Sequence, residues 1–203
     1  MTRDQKLSRR DQILQALALK LEQSRGQRIT TAALAREVAV SEAALYRHFP
    51  SKARMYEALI EYVETSIFER VSRIVQEEGN TASRCYRILL LLLVFADRNP
   101  GLCRLMTGEA LIGEHERLRA RVVKLFERLE TQLKQVLRTG ELEENYRPPI
   151  PPSALANLAM ATVEGRIVQY VRSDFRKRPT QHWEDQWPLL AVHLGVDPSL
   201  QAP

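Results

Sequence analysis

The sequence predicts an all-α protein. Apolar residues recur at helical spacings of three and four through most of the 203-residue chain. No run alternates apolar and polar residues with the β-branched enrichment of a strand. Glycine and proline are scarce, at 8 and 10 residues. Hydrophobic residues make up 44% and charged residues 27%, ordinary values for a chain that buries a core. The length suits one domain or two small ones.

Residues 1–7 are polar, and a first helix is expected from about Ser8 to Glu22, with Ile13, Leu14, Leu17 and Leu21 on one face. Arg9 and Arg10 could reach a phosphate or a groove, or lie in a solvated tail. Residues 24–27 form a loop, and two short helices with a tight turn follow between Ile29 and Lys52. Thr30 or Thr31 caps the first of these, because a hydroxyl satisfies a free N–H of the first turn. Leu34 and Val38 mark its buried face, and Ala39-Val40-Ser41 is the turn. Ser41 caps the second helix, which ends near Phe49 because Pro50 pushes the residue before it out of helical geometry.

In that second helix Val40, Leu45 and Phe49 point inward, leaving Glu42, Ala43, Ala44, Tyr46, Arg47 and His48 outside. The outer face is small at its start and aromatic and basic further on. This is what a helix entering the major groove needs: little bulk near the base edges, then donors for phosphate oxygens. Lys52 follows just beyond the break. The same spacing also fits a plain helical hairpin whose Tyr46 and His48 are merely surface residues.

The body continues as helices. A long one runs after Ser51 to about Glu78, with Met55, Leu59, Tyr62, Val63, Ile67, Val71 and Ile74 as its stripe and Gly79-Asn80 as its end. Thr81 is expected to cap the next, which reaches about Asn99; its centre, Ile88 to Phe95, is apolar all round and belongs in the middle of a bundle. Asn99-Pro100-Gly101 breaks it, and a short helix follows over Leu102–Leu111, interrupted by Gly108 and then Gly113. From Glu114 to about Arg138, Leu118, Val122, Leu125, Leu129, Leu133 and Val136 lie close to a heptad seam, a coiled-coil-like helix packing within the subunit. Residues 140–152 read as the clearest loop, with four prolines and an acidic cluster. Ser153 caps a helix to about Phe175, with Leu155, Leu158, Ala159, Thr162, Val163, Ile167, Tyr170 and Val171 on one side. Its small residues, Ala154, Ala156, Ala159, Ala161 and Gly165, make it the candidate face for self-association. A last helix starts at Thr180 and runs to about Leu194, with Trp183, Trp187, Leu190, Ala191 and Leu194 inward and Pro188 inside it; a polar tail follows.

Charge is placed unevenly. Residues 1–56 hold 11 Lys/Arg against 5 Asp/Glu, whereas the whole chain carries a net charge of +5, so the basic excess belongs to the helix-turn-helix end. Cys85 and Cys103 fall in helices and read as reduced thiols, and no Cys/His spacing suits a metal. His115, His182 and His193 are scattered, and none joins a Ser, Cys or Asp at catalytic spacing, so no enzyme is expected. The start of the chain is polar and charged, and the longest apolar run, Ile88 to Ala96, is too short to span a bilayer. A cytoplasmic location with no membrane contact is expected. No cofactor is implied. The leucine-filled bundle centre, without His or carboxylate anchors, weighs against a small-molecule effector.

The run Leu45-Tyr46-Arg47-His48-Phe49-Pro50-Ser51-Lys52 resembles the motif of TetR-type regulators. The body adds stretches similar to the nucleoid occlusion branch of that family: the leucine run followed by Arg98 to Leu102, Leu125 to Arg128, Gln135 to Arg138, Val171 to Phe175, Arg178 to Thr180 and Trp187 to Leu189. The resemblance implies a TetR-like fold, with a helix-turn-helix DNA-binding domain over residues 1–52 (motif 30–49) and a helical dimerisation and partner-binding domain over 53–203. It implies a homodimer on palindromic chromosomal sites, with Thr30, Thr31, Ser41, Ala43, Ala44, Tyr46, Arg47, His48 and Lys52 toward DNA. It also implies that the DNA-bound, nucleoid-associated protein binds the C-terminal tail of the tubulin-like division protein FtsZ and disrupts its polymers. That tail would lie along a groove between the long helix ending at Gly79-Asn80 and the helix after it, with Tyr62 and Arg70 on one wall and Leu91, Val94, Arg98 and Asn99 on the other. The segments 140–152 and the tail after Gly195 depart from the branch. The competing expectation is an ordinary TetR-type repressor that releases DNA when a ligand fills its body.

Overall fold

The computed structural model describes residues 8–24, 27–144, 147–197 and 199, so the expected polar stretch at 1–7, Arg25, Gly26 and the end of the tail lie outside the described residues. Among the described residues the regular structure is entirely helical: α1 (Arg9–Gln23), α2 (Thr31–Glu37), α3 (Glu42–His48), α4 (Lys52–Glu77), α5 (Thr81–Arg98), α6 (Pro100–Met106), a 3-10 turn (Glu109–Leu111), α7 (Glu116–Glu143), α8 (Pro152–Arg172) and α9 (Trp183–Leu194). They form two compact units: residues 1–63 with 99–122, and residues 64–98 with 123–203.

The first unit packs α1, α2, α3, the first part of α4, α6 and the 3-10 turn. Ser8 caps α1 by accepting from the Asp11 N–H, and Ile13, Leu17 and Leu21 are buried on its inner face. Sealing a side chain of this size from water stabilises by about 1.5–3 kcal/mol. Helix α6 starts with Pro100 at its first turn, where the missing N–H costs nothing. It then lies so close to α1 that a Cβ built on Gly101 would sit 2.0 Å from the carbonyl oxygen of Ala18. The glycine there is a helix-packing residue as well as part of the break foreseen in the sequence. The expected helix over 102–111 is split in two, because Gly108 adopts a left-handed φ of 78° after Met106.

The second unit packs α5 against α8 and α9, with the remaining parts of α4 and α7. Two caps differ from expectation. Asn80, not Thr81, caps α5, its side-chain oxygen accepting from the Ser83 N–H at 2.8 Å. Thr81 is buried instead, and its N–H and hydroxyl both donate to the Glu144 carboxylate. At the start of α8, Pro151 and Pro152 take the N-cap and first-turn places expected of Ser153. Helix α7 begins at Glu116 rather than Glu114 and continues past Arg138 to Glu143, so Gly140 is helical and the loop expected from it starts later. A Cβ on Gly140 would meet the Thr81 hydroxyl at 2.1 Å, which explains a glycine inside a helix.

Helix α5 is not enclosed all round: Ile88, Leu89, Leu92, Leu93, Phe95 and Ala96 are buried, while Leu90, Leu91 and Val94 are half-buried. The seam of α7, from Leu118 to Val136, is buried throughout. On α8, Leu155, Ala156, Ala159, Met160, Val163, Ile167, Tyr170 and Val171 face inward, but Leu158 is exposed and Thr162 half-buried, a correction to the expected face. Helix α8 ends at Arg172, and Asp174 and Phe175 turn the chain with left-handed φ values of 52° and 62°. Helix α9 starts at Trp183 rather than Thr180, buries Trp183, Trp187, Ala191 and Leu194, and accommodates Pro188. Cys85 and Cys103 are both buried, and burial pushes the Cys85 thiol up to about 12.

Asp97 ties α5 to the segment before α9. Its carboxylate accepts from Arg178 Nε at 3.0 and 3.1 Å, again from Arg178 Nη2, and from the Thr180 hydroxyl at 3.2 Å. The hydrogen bonds from Arg178 hold this carboxyl below its ordinary value.

Two outcomes follow. Gly101→Ala is expected to lower unfolding free energy by about 1–3 kcal/mol, because the added methyl forces two backbones apart. Gly79→Ala, with nothing within 4 Å of the new Cβ, is the control for urea midpoints. The depressed Asp97 carboxyl contributes stability that is complete above the unfolded value of about 3.9 and is lost as pH falls through its lower folded value. Asp97→Asn should therefore lower the thermal midpoint at pH 7 and flatten its fall below about pH 4, as differential scanning calorimetry across that range would show.

Candidate nucleic-acid interface

Two caps define the helix-turn-helix. The Thr30 hydroxyl accepts from the Ala33 N–H at 3.2 Å, and the Ser41 hydroxyl accepts from the Ala44 N–H at 3.1 Å. Each such cap stabilises by about 1 kcal/mol. Between the helices Ala39 takes a left-handed φ of 52°, and Val40 N–H closes the turn on the Ala35 carbonyl at 3.0 Å. An alanine here carries a steric cost that a glycine would not. Leu34, Leu45 and Phe49 are buried, whereas Val38 and Val40, expected inward, are half-buried. The Arg10 guanidinium lies over the Phe49 ring at 4.4 Å, so Arg10 packs on the motif. Arg9 bonds Gln12 at 2.8 Å and reaches the Val38 carbonyl at 3.4 Å.

The residues singled out for DNA share this one region. Thr30, Ser41, Ala43, Tyr46, Arg47 and His48 are exposed, and Thr31 and Ala44 half-buried. Thr31 donates to the Glu42 carboxylate at 2.7 Å, bridging the first turns of α2 and α3. The Tyr46 hydroxyl stands 3.4 Å from the Thr31 oxygen, a long contact that aims the ring along the same face. Glu42 was not among the candidate residues. Its acidic position directly after the Ser41 cap was the available signal, and its role here is to fix Thr31. Lys52 differs from the rest: its side chain is 17% exposed and its ammonium is 2.5 Å from Glu114. Along the exposed side of α2 and α3 the arrangement offers hydroxyls, a phenol, an imidazole and a guanidinium.

The other predicted site residues divide between the units. Tyr62, 53% exposed and therefore off the buried stripe of α4, and Asn99, at the N-cap of α6, belong to the first. Arg70, Leu91, Val94 and Arg98 belong to the second. Arg87, Leu91, Val94 and Arg98 run along one side of α5 at helical spacing, with half-buried aliphatic residues between arginines. Arg98 and Arg70 are exposed, and Arg70 donates to the Ser66 carbonyl of its own helix. The self-association candidates also separate: Ala156 and Ala159 are used inside the subunit, while Ala154, Leu158, Ala161, Gly165 and Val168 line the open side of α8.

Similarity to known proteins agrees with this architecture. Residues 14–59 match the model of bacterial regulatory proteins of the tetR family, and residues 79–195 match that of the tetracyclin repressor-like C-terminal domain. The chain is 56% identical over 194 residues to the nucleoid occlusion factor SlmA of Marinomonas sp. (strain MWYL1), covering 96% of this chain and 98% of the relative. It is 54% identical, with the same coverage, to that of Shewanella amazonensis. Among solved structures, the fatty acid degradation regulator FadR from Bacillus halodurans superposes with a TM-score of 0.78 at 14% identity, over 92% of this chain and 96% of that one. The ketosteroid transcriptional regulator KstR2 of Mycobacterium tuberculosis gives 0.74 at 19% identity, over 95% and 98%. These two show the fold, and the sequence relatives show the family. A regulatory chain rather than an enzyme is what both the matched models and the helix-turn-helix describe. The chain belongs to the nucleoid occlusion factor SlmA family of tetR-type bacterial regulatory proteins.

Proposed function

We propose that this protein is a cytoplasmic, nucleoid-associated homodimer that binds palindromic chromosomal DNA and, so bound, engages FtsZ and disrupts its polymers. The observation that carries the DNA part is the division of α3: Leu45 and Phe49 are sealed behind it while Tyr46, Arg47 and His48 stand exposed in front. A helix so anchored presents its front to a major groove without loss of core. Thr30, Thr31 and Ser41 line the approach, and Ala43 and Ala44 supply the low bulk needed near base edges.

The open side of α8 supports the dimer. Alanines and Gly165 there allow close approach, Leu158 and Val168 add apolar area, and nothing lies within 4 Å of a Cβ added to Gly165. The stripe on α5 supports the FtsZ part: Leu91 and Val94 offer apolar surface, and Arg98 supplies the charge that an acidic, partly apolar peptide requires. Tyr62, Arg70 and Asn99 are assigned to the same role from family likeness. Among the described residues no helix is long and apolar enough to cross a membrane.

The decisive experiment is sedimentation of FtsZ polymers with this protein, with and without bound operator DNA. Loss of polymer only with DNA is the expected result, and no loss in either condition would leave a plain DNA-binding regulator. Arg98→Glu should keep DNA affinity and lose the effect on polymers. Arg47→Ala should weaken binding to every duplex and reduce the slope of log affinity against log salt by about 0.9, the release from one phosphate. A loss confined to one duplex sequence would instead assign Arg47 to base reading.

A further inference from the structure

The first unit holds an ionic cluster directly behind the motif. Arg28 lies two residues before the Thr30 cap, and Lys52 opens α4, so these two cations bracket the helix-turn-helix along the chain. One carboxylate serves both. Glu114 Oε1 is 2.5 Å from Lys52 Nζ and 4.0 Å from Arg28 Nε. The Glu114 and Lys52 side chains are only 10% and 17% exposed, while Arg28 is 75% exposed. Glu114 is set in place by its backbone: Gly113 before it has a left-handed φ of 75°, and its own N–H donates to the Leu111 carbonyl at 3.1 Å. Lys52 is held from the other side by the Tyr56 ring, 5.4 Å from its ammonium. Burial, then Glu114, raise the Tyr56 phenol well above its ordinary value, so the ring adds no competing charge. The pair lines a cavity of about 160 Å³.

A lysine strengthens DNA binding by displacing counterions from phosphates, and it does so with a free ammonium. Lys52 stands where the motif would place a phosphate contact, yet its ammonium already faces an anion inside the protein. We infer that Glu114 is an intramolecular competitor of the DNA backbone for Lys52, and that it sets the affinity and salt dependence of DNA binding. The inference rests on the DNA-binding reading above. Glu114 touches no DNA under this scheme. It is a positioning residue that withholds one cation from the phosphate-facing surface and keeps binding to arbitrary sequence weak.

The test uses the full chain and a fluorescein-labelled 30-base-pair duplex of arbitrary sequence, titrated by anisotropy from 50 to 300 mM KCl. Glu114→Gln keeps the shape and removes the charge. It should bind about three- to tenfold more tightly at 50 mM, with a salt slope steeper by about 0.9, one additional phosphate. In the Glu114→Gln background, Lys52→Gln should remove the whole gain. A Glu114→Gln protein that keeps its circular dichroism melt and binds no more tightly overturns the proposal. So does a gain that survives Lys52→Gln. If Glu114→Gln fails to fold, Glu114→Asp, which withdraws the same charge by one methylene, should show the steeper slope, and its absence is equally decisive. Unaltered protein that ignores the duplex at 50 mM KCl instead removes the DNA reading itself, an outcome distinct from failure of the Glu114 assignment.

Discussion

The anchorage of α3 by Leu45 and Phe49 is the constraint from which its exposed face follows. Both are almost wholly removed from water, and together they are worth about 3–6 kcal/mol at the usual value for large apolar side chains. Because they fix the rotation of the helix about its own axis, Tyr46, Arg47 and His48 have no choice but to point outward. The anchorage is itself braced. Arg10 covers the Phe49 ring, Lys20 of α1 pairs with Glu37 of α2 at 2.5 Å, and α6 packs closely on α1 at Gly101. A helix of seven residues would not be stable alone, and its form is imposed by this packing rather than by propensity.

Much of this was legible in the chain. A cap at Thr30 or Thr31, another at Ser41, the inward Leu45 and Phe49, and the break at Pro50 follow from local chemistry that a single sequence displays; the structure selects Thr30. Periodicity also located every long helix, since a buried stripe leaves its mark at spacings of three and four. What local chemistry could not reveal were contacts between residues far apart. Lys52 meets Glu114 across 62 positions, and Arg178 meets Asp97 across 81. Nothing near either partner announces the other. The same limit explains the capping error at α5. Thr81 and Asn80 are both competent caps, and the choice was made by Glu144, which takes both donors of Thr81 from the end of α7.

The site residues sort along the same line. The candidates on α3 are legible as an exposed face because one short helix carries both the anchor and the face. The stripe on α5 was harder, because a leucine-rich helix looks uniformly apolar until its neighbours leave one side half open, and only then do Leu91 and Val94 differ from Leu92 and Leu93. On α8 the small residues looked alike in sequence. Packing assigned Ala156 and Ala159 to the interior and left Ala161 exposed and Gly165 half-buried.

Gly140 carries one more implication. What α7 requires at this point is an absence of atoms, since any side chain would strike the Thr81 hydroxyl. Every other amino acid is therefore a large change there, including those that would make the isolated helix more stable. In a genetic screen such a position yields defective alleles as readily as a binding residue does, while touching no partner at all. Loss of activity on its own would then mislead a map of the contact surface, and only a parallel measure of protein abundance separates the two kinds of lesion.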